Sequence, residues 1–347
     1  MNHKLRRPMP GLAAVVVMVL ASQIPSAGQP ASTGANTARA AASVTLRTAW
    51  GDPDFQGVYT FATETPLQRP TALGDKGSYT QAELQKIEQE LKEKHDDNIA
   101  TNEHFSYNAL WFVGDQGRPT GRTSLIVDPE NGRMPPLTEH GEKLRAENAA
   151  RQAARRAKGG QIINSWEDHS NYNQCISRPM PRVSQEYNQG VEIFQTPKDV
   201  TIFYESMHDA RIIPLDGRAH LDASLRQWNG DSRGHWEGDT LVVDSTNFTD
   251  KQKSDDSAPF GGFPQGNLHF TERFARVDAN TLSYVVTVED PTIWIRPWTF
   301  AIPWRSDDPA YKGPEDLFEY ACHEGNYRMI EDTITGSRAA KGAPAAK

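Results

Sequence analysis

From Val191 onward the chain alternates. EIFQTP, DVTIFYES, ARIIPLDG, TLVVDSTNF, NLHFTERFARV, TLSYVVTVED, WTFAIPWR and LFEYACHEG carry apolar residues at every second position or are rich in β-branched and aromatic residues. That is the period and composition of half-buried strands. The connections are short: Thr196-Pro197-Lys198-Asp199, Asp216-Gly217, Glu237-Gly238-Asp239 and Asp278-Ala279-Asn280. Successive strands joined by tight turns make an antiparallel meander. An earlier strand is predicted around Phe55, Val58, Tyr59 and Phe61. About eight such strands predict a mainly β fold, an antiparallel meander forming a barrel or a strongly curled sheet, with a barrel-like or lipocalin-like domain expected.

The pattern before Val191 is different. Thr80 to Lys94 opens with a capping box, Thr80 and Glu83, and continues as a charged run. Thr138 to Lys158 is rich in Ala, Glu and Arg and stops at Gly159-Gly160. Both have too few apolar residues to be core, so two surface helices are expected in the N-terminal third. Between them Thr123 to Leu137 holds a short apolar strand, then Asp128-Pro129 and Asn131-Gly132, a turn signal.

The first residues read as targeting rather than fold. Lys4, Arg6 and Arg7 form a positive start, Gly11 to Ser22 an apolar stretch too short to span a bilayer comfortably, and Ser26-Ala27-Gly28 a small-residue cleavage site. The expected organisation is a signal peptide over 1–28, a disordered Ala/Ser/Thr/Gly linker over 29–47, one β-rich domain over 48–338 with helical insertions near 80–95 and 138–158, and a disordered tail over 339–347. A periplasmic or secreted location follows, with no membrane span after signal cleavage.

Export gives the two cysteines a meaning. In an oxidising compartment Cys175 and Cys322 are expected to form a disulfide. The formal net charge of −8 and the lack of a basic stripe argue against a nucleic-acid partner. The partner expected is a small-molecule substrate or ligand.

Candidate chemistry lies where a strand spends an apolar position on a charge. On the strand Leu268 to Val277, Glu272 shares a face with Leu268, Phe270 and Phe274, while His269 takes the opposite face. A carboxylate so placed is either a desolvated general acid or base, or half of a salt bridge to an arginine such as Arg276 or Arg296. Asp244 interrupts a valine-rich strand, which is costly unless it is paired. His323-Glu324 closes the last predicted strand, either as a proton-transfer pair or as a surface pair. Asp231, Glu237, Asp239 and Glu289 read as turn residues. Trp294, Trp298, Arg296 and Tyr327 supply the mixed apolar and polar lining of a ligand pocket.

No cofactor is expected. There is no glycine-rich phosphate loop, no GxSxG elbow and no HExxH motif. No metal site is assigned, although His208, His220, His235, His269 and His323 are dispersed so that one could assemble only in space.

TSLIVDPENGRMPPLT, FQTPKDVTIFYESMHDARIIPLDGRAH, WNGDSRGHWEGDTLVVDSTNF, NLHFTERF, VEDPTIWIRPWT and EYACHEGNY together resemble a widespread family of exported bacterial β-rich proteins. The resemblance covers most of Arg122 to Tyr327 and implies export and a β fold, with no activity attached. FQGVYT also resembles the Gly-x-aromatic opening of lipocalin-like barrels. The function expected is a secreted enzyme, a hydrolase or lyase, performing acid–base chemistry on a small organic or glycosidic compound. Glu272, His269, His323, Glu324 and Asp244 would carry it. The alternative is a periplasmic lipocalin-like binding protein for an apolar ligand.

Overall fold

Nearly every alternating run becomes a strand. The computed structural model describes residues 46–101, 117–157, 163, 165–183, 188–251, 262–306 and 317–340. The predicted signal peptide and most of the linker and tail lie outside them. The strands are β1 (Gly57–Thr60), β2 (Ile126–Asp128), β3 (Gly190–Gln195), β4 (Asp199–Tyr204), β5 (Ala210–Pro214), β6 (Asp231–Glu237), β7 (Thr240–Thr246), β8 (His269–Arg276), β9 (Thr281–Glu289) and β10 (Trp298–Arg305). They form one antiparallel sheet in the order β5-β4-β3-β1-β10-β9-β8-β7-β6, with β2 beside β10.

Alternation sets the two faces. Leu282, Tyr284, Val286 and Val288 of β9 point inward, as do Trp298, Phe300, Ile302 and Trp304 of β10 and Phe270, Glu272 and Phe274 of β8. Phe274, Tyr284 and Trp304 pack with ring centroids 4.8–5.2 Å apart, within the range for favourable aromatic pairs.

The sheet curls but does not close, which corrects the expected barrel. β5 and β6 are its two edges, and no ladder joins them among the described residues. They nonetheless meet side by side. A Cβ on Gly234 of β6 would lie 2.7 Å from Leu215 and 2.8 Å from Ile213 of the β5 end. The chain reaches β6 through Gly230, whose φ of +71° suits glycine. A Cβ there would meet Phe248 at 2.4 Å and the Thr246 carbonyl at 2.7 Å. Gly230→Ala is therefore expected to cost about 2 kcal/mol, measurable as a lowered urea midpoint with unchanged slope.

The helices are α1 (Gln81–Thr101), α2 (Glu139–Ala157) and α3 (Cys322–Ala340). The first two stand where predicted. Thr80 and Glu83 exchange the capping-box bonds at 2.8 and 3.3 Å, and Thr138 Oγ1 accepts from Gly141 N at 3.0 Å to cap α2. Two predictions failed. Asp231–Glu237 is a strand rather than a crowded turn, pairing with β7 along its whole length. EYACHEG is not a strand: Cys322 begins a helix. Its alternating apolar residues are too few to outweigh the helical continuation through Ala340.

Cys175 and Cys322 are joined as a disulfide. The bridge ties the loop before β3 to the first residue of α3, not to a last strand. Among the described residues no helix is long and apolar enough to cross a membrane.

Candidate functional site

The outer face of β6–β9 gathers several charged and histidine side chains, whereas Glu272 alone of these strands' carboxylates is paired inside. Asp231 opens β6, Asp244 lies on β7, His269 opens β8 and Glu289 ends β9. Register brings them together: Asp231 is opposite Thr246, His269 is opposite Glu289, and Asp244 is opposite Thr271, two residues from His269 on the same face.

The segment between β5 and β6 adds a second histidine. It folds back over this face and is held on both sides of His220. Arg233 Nε donates to the Ala219 carbonyl at 3.1 Å, and Leu221 N donates to Asp231 Oδ2 at 2.9 Å. Asn247 Nδ2 donates to the carbonyls of Leu221 and Asp222 at 3.0 and 3.2 Å. His220 is thereby fixed with Nδ1 2.8 Å from Asp231 Oδ2 and Nε2 2.8 Å from Asp244 Oδ1.

Asp244 continues the chain. Its Oδ2 lies 2.6 Å from His269 Nε2, and His269 Nδ1 lies 3.4 Å from Glu289 Oε2. Arg233 Nη1 donates to Asp231 Oδ1 at 2.6 Å. The result is an unbroken series: Arg233, Asp231, His220, Asp244, His269, Glu289. The inner end is dry, with Asp231 5% exposed. The outer end is half-open, with His269 at 36%.

This geometry has a proton count. A neutral imidazole donates through one nitrogen only. Each ring here faces a carboxylate oxygen on both nitrogens, so His269 is fully bonded only as an imidazolium. The hydrogen bond to Asp244 raises the His269 pKa above its ordinary 6.5, against its burial and with help from the Asp244 charge and Glu289. The hydrogen bond from His269 holds Asp244 below the ordinary carboxylate value, again against burial. Linkage follows from these directions. The His269 contribution to stability is complete below about pH 6.5 and is lost as pH rises through the raised folded value. The Asp244 contribution is present above about pH 3.9 and is lost as pH falls through the lowered one. His269→Gln should therefore flatten the fall in stability above neutrality, read from urea unfolding across pH. A wild-type slope that persists in the variant would assign that titration elsewhere.

Among the described residues no group of three or more His, Cys, Asp or Glu is placed to hold a metal ion. The His and Asp atoms are in line as donors and acceptors, rather than converged on a centre. The carboxylate and the two rings can pass a proton along or offer one at the exposed end.

The other predicted residues are elsewhere. Glu272 leaves β8 on the face opposite His269 and is wholly buried. Arg211 of β5 forks onto it, Nη1 to Oε1 at 2.9 Å and Nη2 to Oε2 at 2.6 Å. Tyr284 OH donates to Oε1 at 2.8 Å, and Ser232 and Ser245 accept from Arg211 Nη2 at 3.0 and 3.1 Å. Burial opposes the charge on Arg211, but the Glu272 carboxylate overrides it and raises the pKa. Burial, then Glu272, pushes the Tyr284 phenol well up. Glu272 is thus in the salt bridge weighed against catalysis, with Arg211 in place of Arg276 or Arg296. An inward carboxylate needs a cation, and the curl of the sheet brings one across from β5.

His323 and Glu324 are exposed in the first turn of α3. They do not join His269, because the segment is helical and lies outside the sheet ladder. Trp294 and Trp298 do not line a surface site. They are buried and pack edge to face at 5.6 Å. Arg296 is exposed and pairs with Asp128 at 3.2 Å, and Tyr327 is exposed on α3.

Of the five predicted catalytic residues, the structure joins two, His269 and Asp244, and adds His220, Asp231 and Glu289. Glu289 had a legible signal, since strand alternation puts it on the His269 face. Asp231 was masked by its turn-like neighbours. His220 lies in an irregular segment where no period applies.

No family model matches the chain, and neither does any curated protein. Among solved structures it is similar to a secretary abundant heat soluble (SAHS) protein from Ramazzottius varieornatus, with 12% identity over 39% of this chain and 85% of that chain and a TM-score of 0.24. A likeness this slight carries no argument.

Proposed function

We propose that this is an exported enzyme whose acid–base chemistry takes place on the outer face of β6–β9, acting on a small organic or glycosidic compound by hydrolysis, elimination or hydration. One observation carries the reading: a single carboxylate, Asp244, bridges two histidine rings at 2.6 and 2.8 Å beside solvent. An imidazolium held by a carboxylate is a general acid, and after releasing its proton it is a general base. His269, at the open end, meets the substrate. His220, tied to buried Asp231, refills or drains the proton through Asp244. The disulfide supports the exported setting, since such bonds persist in oxidising compartments.

The test begins with a panel of plant glycosides, terpenoids and aromatic compounds screened by melting-temperature shift. For a compound that binds and turns over, Asp244→Asn should lower kcat/KM by a factor of about 100 or more, the usual worth of general acid–base catalysis. His220→Gln should lower kcat/KM by less than Asp244→Asn does. Equal turnover by wild type and Asp244→Asn would sink the proposal.

A further inference from the structure

The stretch Arg218–Leu225, between β5 and β6, carries a member of the relay without belonging to the sheet. It holds no helix or strand. All of its residues are exposed except His220, and its two leucines, Leu221 and Leu225, stand open at 43% and 55%. No apolar side chain is spent on fixing it. Its bonds to the sheet are polar and bunched over Ala219–Asp222, each made through a side chain of Arg233, Asp231, Asp244 or Asn247. Water can replace such bonds locally, whereas a buried strand ladder yields as a cooperative unit.

The two ends of the stretch differ. At the start, Gly217 has a φ of +72°, and a Cβ there would meet nothing within 4 Å, so the backbone has room to turn. At the far end the chain is fastened. Gln227 N donates to the Asn247 carbonyl and Thr249 N to the Gln227 carbonyl, both at 2.9 Å, and Arg226 Nη1 donates to the Phe248 carbonyl at 3.0 Å. Just before that anchor comes a self-contained turn. Ser224 donates through N and Oγ to Asp222 Oδ1 at 2.9 and 2.6 Å, and Leu225 N donates to the Asp222 carbonyl at 2.8 Å. The stretch thus has one loose side, one fixed side and a compact turn beside the fixed side. What it covers is Asp231, which is 5% exposed and whose Oδ2 is taken by His220 Nδ1 and Leu221 N.

We propose that Arg218–Leu225 is a lid over the inner end of the relay, latched by His220 and hinged at Gly217, that opens while the sheet stays folded. Opening withdraws His220 from Asp231 and Asp244 together and bares Asp231, so the relay is whole only under the closed lid. That consequence for chemistry rests on the relay reading; the motion itself does not.

The Leu221 amide, bonded to Asp231, reports the lid. It is followed by hydrogen exchange of the wild-type protein in rising, sub-denaturing urea, with the amides of the β7–β8 ladder as the reference. The Leu221 amide should exchange at least about a hundredfold faster than the ladder amides, at a rate that low urea leaves unchanged, because a local opening exposes little surface. Exchange of Leu221 at the ladder's rate and with the ladder's urea dependence overturns the lid. His220→Gln should then speed Leu221 exchange about tenfold or more, through loss of charge-assisted bonds. An unchanged rate in that variant would overturn His220 as the latch. Should His220→Gln fail to fold, the urea dependence of the wild type decides alone. No substrate enters either measurement, so a lid that fails leaves the relay standing, and Asp244→Asn with full turnover would remove the relay and leave the lid.

Discussion

Glu272→Gln should lower stability by about 3–5 kcal/mol, the largest single-residue effect expected in this protein. The substitution is nearly isosteric and leaves no cavity. Its cost is electrostatic. Arg211 is 2% exposed and would keep its charge in the interior with no carboxylate to face. Tyr284 OH would lose an anionic acceptor, and only the neutral oxygens of Ser232, Ser245, Tyr204 and the new amide would face the guanidinium. Replacing both partners separates this cause from loss of shape. Arg211→Met with Glu272→Leu removes the charges together, and buried pairs so replaced are often neutral in stability. Here recovery should be incomplete, because Tyr284 and the two serines lose partners. A double variant less stable than Glu272→Gln would mean that the network, rather than the orphaned charge, sets the cost. Either way the buried Glu272 carboxylate is the counter-charge that Arg211 faces.

Opening the Cys175–Cys322 disulfide should cost nearly as much. The bond closes a loop across a sequence separation of 147, for which the chain-entropy model gives about 4–5 kcal/mol, reduced by any native strain. α3 is held at Thr333, whose Oγ1 lies 3.0 Å from His169 Nε2, and just before its start by Tyr320, which donates through N to His208 Nε2 at 2.9 Å and through OH to Tyr172 at 2.7 Å. Asn326 Nδ2 lies over the two sulfurs at 3.2 and 3.6 Å. Cys175→Ser with Cys322→Ser should therefore show early amide exchange in α3 and a lowered melting temperature, while the β8–β10 ladder keeps its protection. Uniform loss of protection across the sheet would instead make the bridge part of the central fold.

Much of the fold was legible because strand alternation is a local property. Leu282 to Val288 or Trp298 to Trp304 can be assigned to a face without knowing any neighbour. Closure is not local. Whether β5 meets β6 depends on twist and on Gly234 admitting Leu215 and Ile213, which no single strand records. The last predicted strand failed for a related reason. EYACHEG is short and ambiguous, and the helical run after it decides its state. The site divided in the same way. Glu272 was conspicuous, but its partner lies sixty-one residues away on a strand at the far edge. His269 and Asp244 were recognisable as charges on strands, whereas His220 depends on a folded-back segment pinned by Arg233, Asp231 and Asn247.

The central claim is that chemistry belongs to the Asp244-bridged histidines and that Glu272 is a buried counter-ion. The most direct measurement is turnover, by Asp244→Asn, of a compound identified in the melting screen, at a temperature where the variant and wild type are both fully folded. The proposed relay predicts a loss in kcat/KM of about 100-fold or more with retained binding. Turnover equal to wild type would contradict it and remove the outer face as the reactive site.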